Sequence, residues 1–195
     1  MNIYEVKRRE FEILEEIDAS SKKLERKGKL FLLKHYDSSN EMDKAFRINK
    51  VFISNGIQVP QARFLNKKTN DIIYDFIDSY PVLEDLQYGD LKEEIYDELF
   101  KMYWRCKQER IELDFNPINF KFYNGKLYYI STVYSLAQSR SDSQEKFLNK
   151  DLKMWFYTKE SVEILKQHGL KTEGKLEEEY ATNKRMTLMC VKYYK

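Results

Sequence analysis

Residues 113–131 read LDFNPINFKFYNGKLYYIS, and the parsing of this stretch decides the fold. Asn124-Gly125 lies between FKFY and KLYYI. Both central positions of a type I′ turn need positive φ, which Asn-Gly supplies, so a two-residue β-hairpin is predicted here. Ahead of it, DFNPIN sets the carboxylate of Asp114 five residues before the carboxamide of Asn119, on a loop stiffened by Pro117. Such a loop can gather both groups into one small volume. Asp114 would orient a hydroxyl and accept its proton, and Asn119 would offer a carbonyl oxygen to a hard cation such as magnesium. An Asx turn followed by a proline turn, serving only the local backbone, fits the same residues.

Upstream, residues 91–110 form the best helical pattern in the chain, with Ile95, Leu99, Met102, Tyr103 and Cys106 on one apolar stripe. Further upstream, EFEILEEID and LFLLKHY read as strands, separated by the polar stretch ASSKKLERKGK. A helix is predicted through Met42, Ala45, Phe46, Asn49, Phe52 and Ile53, capped by Ser38 or Ser39 and stopped at Asn55-Gly56. ARFL and IIYDFID then suggest a second hairpin. Beyond Ser131, residues 135–147 read as a polar loop, followed by helical stretches at 150–157, 161–168 and 177–194. Strands and helices are segregated, which favours an α+β fold. A boundary near residues 78–90 divides it into a small sheet lobe, 1–79, and a mainly helical lobe, 80–195, with a cleft expected between them.

Composition narrows the classes. The 195 residues include fifteen Tyr and twelve Phe, enough large side chains for a sizeable core. The 34 basic and 32 acidic residues nearly cancel, unlike the one-sided charge of a dedicated nucleic-acid binder. Two cysteines without a C-x-x-C pair, and two isolated histidines, argue against a disulfide scaffold and a structural zinc site. No apolar run has the length of a membrane span or a signal peptide, so a cytoplasmic location is the expectation. Within LFLLKHY, Lys34 is a lone cation that is costly to bury without a partner. It either lies on a sheet edge with its ammonium in water or points into the cleft to hold a phosphate.

In order along the chain, these features resemble the protein-kinase-like superfamily, above all its small and atypical branches: aminoglycoside phosphotransferase-like, lipopolysaccharide-kinase-like and RIO-type kinases. The resemblance covers residues 11 to about 134. LFLLK resembles the strand that carries the nucleotide-binding lysine, here Lys34. EMDKAFRINKVFISNGIQVPQARFL is similar to the first-lobe helix and the G-x-x-V-P segment behind it. IIYDFIDSYPVLEDL resembles the strand and hinge where backbone groups from Asp75 to Ile77 would meet an adenine. LDFNPINFKFYNGKLYYIS is similar to the G-D-L-x-P-x-N run, which implies Asp114 as the catalytic aspartate and Asn119 as a metal ligand. The resemblance also offers Glu41, the one glutamate on its helix, as the acid partner of Lys34. The position of Glu41 equally suits a charge at the positive end of the helix dipole. A two-lobed kinase-like fold using ATP and magnesium is what the resemblance implies.

The chain departs from that pattern in ways that bear on activity. Residues 18–23, DASSKK, stand where the superfamily has a glycine-rich loop over the phosphates. Glu112-Leu113 replaces the usual His-Gly or His-Arg before the catalytic aspartate. Ser131 occupies the position of a metal-binding aspartate, and a hydroxyl is a poor magnesium ligand beside a carboxylate. Asp142, in the polar loop, is a candidate substitute. No A-P-E segment follows, and the short remainder favours a small-molecule, lipid or RIO-like acceptor over a peptide. Two expectations result: an ATP-dependent phosphotransferase acting on a hydroxyl, or a pseudokinase-type regulatory module that binds a nucleotide or a protein partner, for example through Tyr180, Tyr193 and Tyr194. Cys106 is expected to be packing, and His168 to close a helix beside Gly169.

Overall fold

The computed structural model describes residues 3–131, 134–136, 146–147, 150–176 and 178–193. The protein is α+β and divides into two compact units, Met1–Asp78 and Ser79–Lys195.

The first unit is a curled antiparallel sheet of six strands with one helix. Its strands are β1 (Ile3–Val6), β2 (Arg9–Asp18), β3 (Ser21–Arg26), β4 (Lys29–His35), β5 (Ala62–Asn66) and β6 (Asp71–Asp75), ordered β1-β2-β3-β4-β6-β5. Side chains two apart share a face. Leu33 therefore joins Val6, Phe11, Leu24 and Ile73 in one cluster. On the other face, Ile72 and Tyr74 pack with Met42 and Ala45 of helix α1 (Ser39–Ser54), and Leu32 lies against them.

The polar stretch between the two expected strands is itself a strand, β3. Its ladder is supplied by neighbours on both sides, so Leu24 and Ser21 are the residues it buries, while Glu15↔Lys23 and Glu16↔Lys22 pair opposite charges across β2 and β3. Lysine-rich composition hid it. β4 is consequently interior, paired to β3 and β6, and Lys34 is not an edge residue. Helix α1 begins as expected, with Ser38 Oγ accepting from the Glu41 N–H at 3.2 Å, and it ends at Asn55 and Gly56, the latter at φ 70°. Of its expected apolar stripe, Ile53 is exposed. Asn49 is buried because its carboxamide bonds to the Pro60 carbonyl at 2.7 Å and the Ala62 N–H at 3.0 Å, tying the helix to the start of β5.

The second unit contains α2 (Val82–Asp85), α3 (Glu93–Glu109), β7 (Ile111–Leu113), β8 (Phe120–Tyr123), β9 (Lys126–Tyr129), β10 (Tyr134–Leu136), α4 (Lys159–Gln167) and α5 (Glu179–Tyr193). The β8–β9 hairpin turns on Asn124 and Gly125 at φ 49° and 72°, the left-handed geometry its sequence required. β7 pairs antiparallel with β10, so the start of the expected polar loop is a strand. The rest of that loop up to residue 145, Asp142 included, lies outside the described residues. Within residues 150–157 the chain forms a 3-10 helix at Asp151–Trp155 rather than an α-helix, and Leu152, Trp155, Phe156 and Tyr157 are all buried with no one-sided stripe.

Stacked and edge-on rings organise the core of this unit: Tyr96 with Phe156, Tyr103 with Phe147, Phe115 with Phe120, and Phe120 with Trp155. Tyr193, expected on a partner surface, instead stacks on Phe100 at 4.5 Å, while Tyr180 is 79% exposed. Tyr194 lies outside the described residues. Cys106 is buried on α3, which pushes its thiol up to about 12 and suits packing. His168 caps the end of α4. Among the described residues, no helix is long and apolar enough to cross a membrane.

Candidate functional site

In the second unit, strand alternation turns Asp114 outward, because Leu113 and Phe115 on either side of it are buried. The loop behind it is pinned from below by Trp155, whose indole N–H donates to the Phe115 carbonyl at 2.7 Å. The Asp114 carboxylate accepts from the Asn116 N–H at 3.2 Å, and the Asn116 side chain accepts from the Ile118 N–H at 3.2 Å. The Asx-turn reading of DFNPIN is therefore realised. Asn119 Nδ2 donates to the main-chain carbonyl of Asp114 at 3.2 Å, closing the loop on itself. With its nitrogen committed, the group that Asn119 would offer to a cation is Oδ1. The Ile130 N–H anchors the Asn119 carbonyl at 2.9 Å, joining the loop to the end of the hairpin.

Ser131 is held in this neighbourhood by Tyr129. The tyrosine is fully buried, and that burial raises its hydroxyl above the ordinary range, while the Ser131 hydroxyl and the Asp114 backbone N–H act in the opposite direction as hydrogen-bond donors to it. The serine hydroxyl is thus engaged in the loop.

A group that sequence reasoning missed stands close by. Asp151 is 6% exposed, and burial foremost pushes its carboxyl up to about 6; Asp114 and Glu112 add repulsion, against the attraction of Lys146 and Lys150. It lines a recess of about 20 Å3, with room for one water, together with Glu112, Cys106 and Phe147. The available signal was an acid opening an apolar aromatic run, DLKMWFY. Asp114 and Asn119 would offer two oxygen groups to a hard cation such as magnesium, a set that would suffice only with phosphate oxygens completing the shell. Among the described residues, no group of three or more His, Cys, Asp or Glu side chains is disposed to hold a metal alone.

The other candidates belong to the first unit. Lys34 shares the α1 face of the sheet with Leu32, and its ammonium lies 5.8 Å from the Tyr36 ring centroid. Among the described residues it forms no ion pair with Glu41, which is exposed in the first turn of α1. Asp75 is held by a two-pronged bond from Arg63, both distances 2.7 Å. The N–H groups of Asp75 and Phe76 are spent on the Gln61 and Leu30 carbonyls, and Ile77 is buried. The turn between β2 and β3 differs from a phosphate-covering loop in kind. Asp18 accepts from the Ser20 N–H at 2.7 Å and its hydroxyl at 2.9 Å, which holds the carboxyl below the usual range. The two lysines beyond it are already partnered, Lys22 with Glu16 at 2.6 Å and Lys23 over the Phe76 ring at 4.7 Å.

No protein-family model matches the chain, and no curated protein matches it.

Proposed function

We propose that the protein is an ATP-dependent phosphotransferase-like protein on a two-lobed kinase-like scaffold, acting on a hydroxyl of a small molecule, lipid or protein. The observation that carries this reading is the Asn119-to-Asp114 closure at 3.2 Å, a bond from the carboxamide to the main-chain carbonyl that ties residues 114 and 119 into one braced loop, on which the Asp114 side chain is exposed. In this reading Asp114 orients the acceptor hydroxyl and takes its proton, Asn119 presents Oδ1 to magnesium, Lys34 meets the nucleotide phosphates, and the segment from Asp75 to Ile77 meets the base. Magnesium, when bound, neutralises phosphate charge, and positioning does most of the rest.

A second reading, a pseudokinase-type module that binds a nucleotide or partner without turnover, is favoured by a separate observation. The position expected to hold a metal carboxylate is a serine engaged with Tyr129, and the turn at Asp18 spends its own amide on a side chain. Two measurements separate the readings. Nucleotide turnover with ATP and magnesium across a panel of hydroxyl acceptors should exceed that of Asp114→Asn if the protein is a phosphotransferase; equal rates exclude it. Thermal stabilisation by ATP that depends on magnesium supports the first reading, and stabilisation indifferent to magnesium supports the second.

A further inference from the structure

Two walls of the second unit enclose a pocket of about 420 Å3, within the size range of small-molecule sites. One wall is the 3-10 helix and the start of α4, and it carries Lys153, half-buried, and Lys159. The other is the approach to α5 and its first turn, and it carries Glu178 and Glu179. Glu160 also lies on the lysine wall, where its own backbone N–H foremost holds its carboxyl below the usual range, and it offsets one of the two cations. Among the described residues, no ion pair joins the lysines of one wall to Glu178 or Glu179 of the other. The pocket keeps these opposite charges apart.

A buried hydroxyl at the same lining is left without a partner. Thr182 is 2% exposed, and its Oγ1 is buried with no hydrogen-bond partner. Buried polar groups are almost always bonded, so each exception calls for a cause. A local acceptor is within the reach of any helical threonine, the carbonyl four residues back. Thr187, on the same helix, uses it: its hydroxyl donates to the Asn183 carbonyl at 2.8 Å. At Thr182 only the backbone N–H takes the corresponding Glu178 carbonyl, at 3.0 Å, and the hydroxyl stays uncommitted.

We propose that this pocket binds a free amino acid with an aliphatic side chain, its carboxylate towards Lys153 and Lys159, its ammonium towards Glu178 and Glu179, and the Thr182 hydroxyl accepting from that ammonium. A lone anion would face two glutamates and a lone cation two lysines, whereas a molecule carrying both charges meets both walls at once. The positive end of α4 adds to the attraction for the carboxylate. Leu176, 48% exposed on the lining, gives an aliphatic side chain its apolar contact. The inference is independent of the nucleotide reading.

The test is isothermal titration calorimetry of the full chain with L-leucine and with its two half-molecules: 4-methylpentanoate, which lacks the ammonium, and 3-methylbutylamine, which lacks the carboxylate. The expected result is saturable binding of leucine, with each half-molecule at least about tenfold weaker. Thr182→Val removes the hydroxyl at nearly constant volume. It should weaken leucine binding at least about fivefold while the melting temperature of the free protein holds or rises, because a hydroxyl without a partner adds nothing to the fold. Glu178→Gln with Glu179→Gln should weaken binding at least about tenfold, and the charge-matched pair Glu10→Gln with Glu15→Gln in the first unit should keep it. Amide shifts on titration should concentrate in residues 158–160 and 178–183. Absence of saturable leucine binding, a half-molecule that binds as tightly as leucine, equal loss in the Glu10 and Glu15 pair, unchanged affinity in Thr182→Val, or shifts centred elsewhere would each overturn the proposal.

Discussion

Trp155 donates its indole N–H to the carbonyl of Phe115 at 2.7 Å, with both residues buried, and so fixes from beneath the loop that begins at Asp114. The same tryptophan accepts the Tyr96 hydroxyl on its own carbonyl at 2.7 Å, which links the loop to α3. Trp155→Phe keeps much of the ring volume but strands the buried Phe115 carbonyl. The expected cost is about 2 kcal/mol, the desolvation penalty of an unsatisfied polar group together with lost packing. Urea unfolding measures it, and a loss below about 0.5 kcal/mol would mean the bond is not a brace.

The strong local signals were legible. Asn124-Gly125 announced its hairpin, Ser38 and Gly56 bounded α1, and the stripe from Ile95 to Cys106 announced α3, because each rests on short-range stereochemistry or on a long amphipathic repeat. β3 was hidden because its stability comes from neighbouring strands rather than from its own six residues, of which only Leu24 is aliphatic. β10 was hidden for a related reason: its partner β7 is distant in sequence. At the site, Asp114 and Asn119 stood out by spacing. Asp151 did not, since its proximity to Asp114 is made by tertiary packing around Trp155.

Asn119 supplies a second brace, and its two functions separate by substitution. Asn119→Ala removes the bond to the Asp114 carbonyl and should lower stability by about 1 kcal/mol. It should also abolish any magnesium-dependent part of a thermal shift with ATP, while leaving a magnesium-independent part in place. Differential scanning fluorimetry with ATP, with and without magnesium, reads both. An unchanged magnesium-dependent shift would remove Asn119 from the metal site.

Asp151 makes stability depend on pH in a calculable direction. Its ordinary value is 3.8, and in the folded chain burial lifts it to about 6, with Asp114 and Glu112 opposing and Lys146 and Lys150 supporting its charge. Below about pH 4 the carboxyl is protonated in both states. Between about pH 4 and 6 the folded state keeps a proton that the unfolded state has released, so stability falls as pH rises through this window and levels off above it. The loss is on the order of 3 kcal/mol. Asp151→Asn should remove this slope and be more stable than the native chain at pH 7, by an amount that vanishes near pH 4. Urea titrations at pH 4, 5, 6 and 7 test it, and a native-to-variant difference that does not grow with pH would show that the carboxyl is not desolvated.

Two glycines of the second unit should fail under substitution for opposite reasons. A Cβ on Gly174 would lie 2.7 Å from the Gly89 Cα and 2.7 Å from the Tyr157 ring, and the Gly174 N–H already donates to the Tyr157 hydroxyl at 3.0 Å and the Gln87 carbonyl at 3.1 Å. Gly174→Ala must push backbone away from backbone, and a cost of about 1–3 kcal/mol is expected from overpacking. Gly125 has open space around it but sits at φ 72°, so Gly125→Ala should cost about 1–2 kcal/mol through the backbone alone. Asparagine tolerates the left-handed region, so Gly125→Asn should be milder than Gly125→Ala. Gly174→Asn should be worse than Gly174→Ala, because the obstacle there is volume. Melting temperatures of the four variants decide the matter, and the same ranking at both sites would mean that one of these two causes has been misassigned.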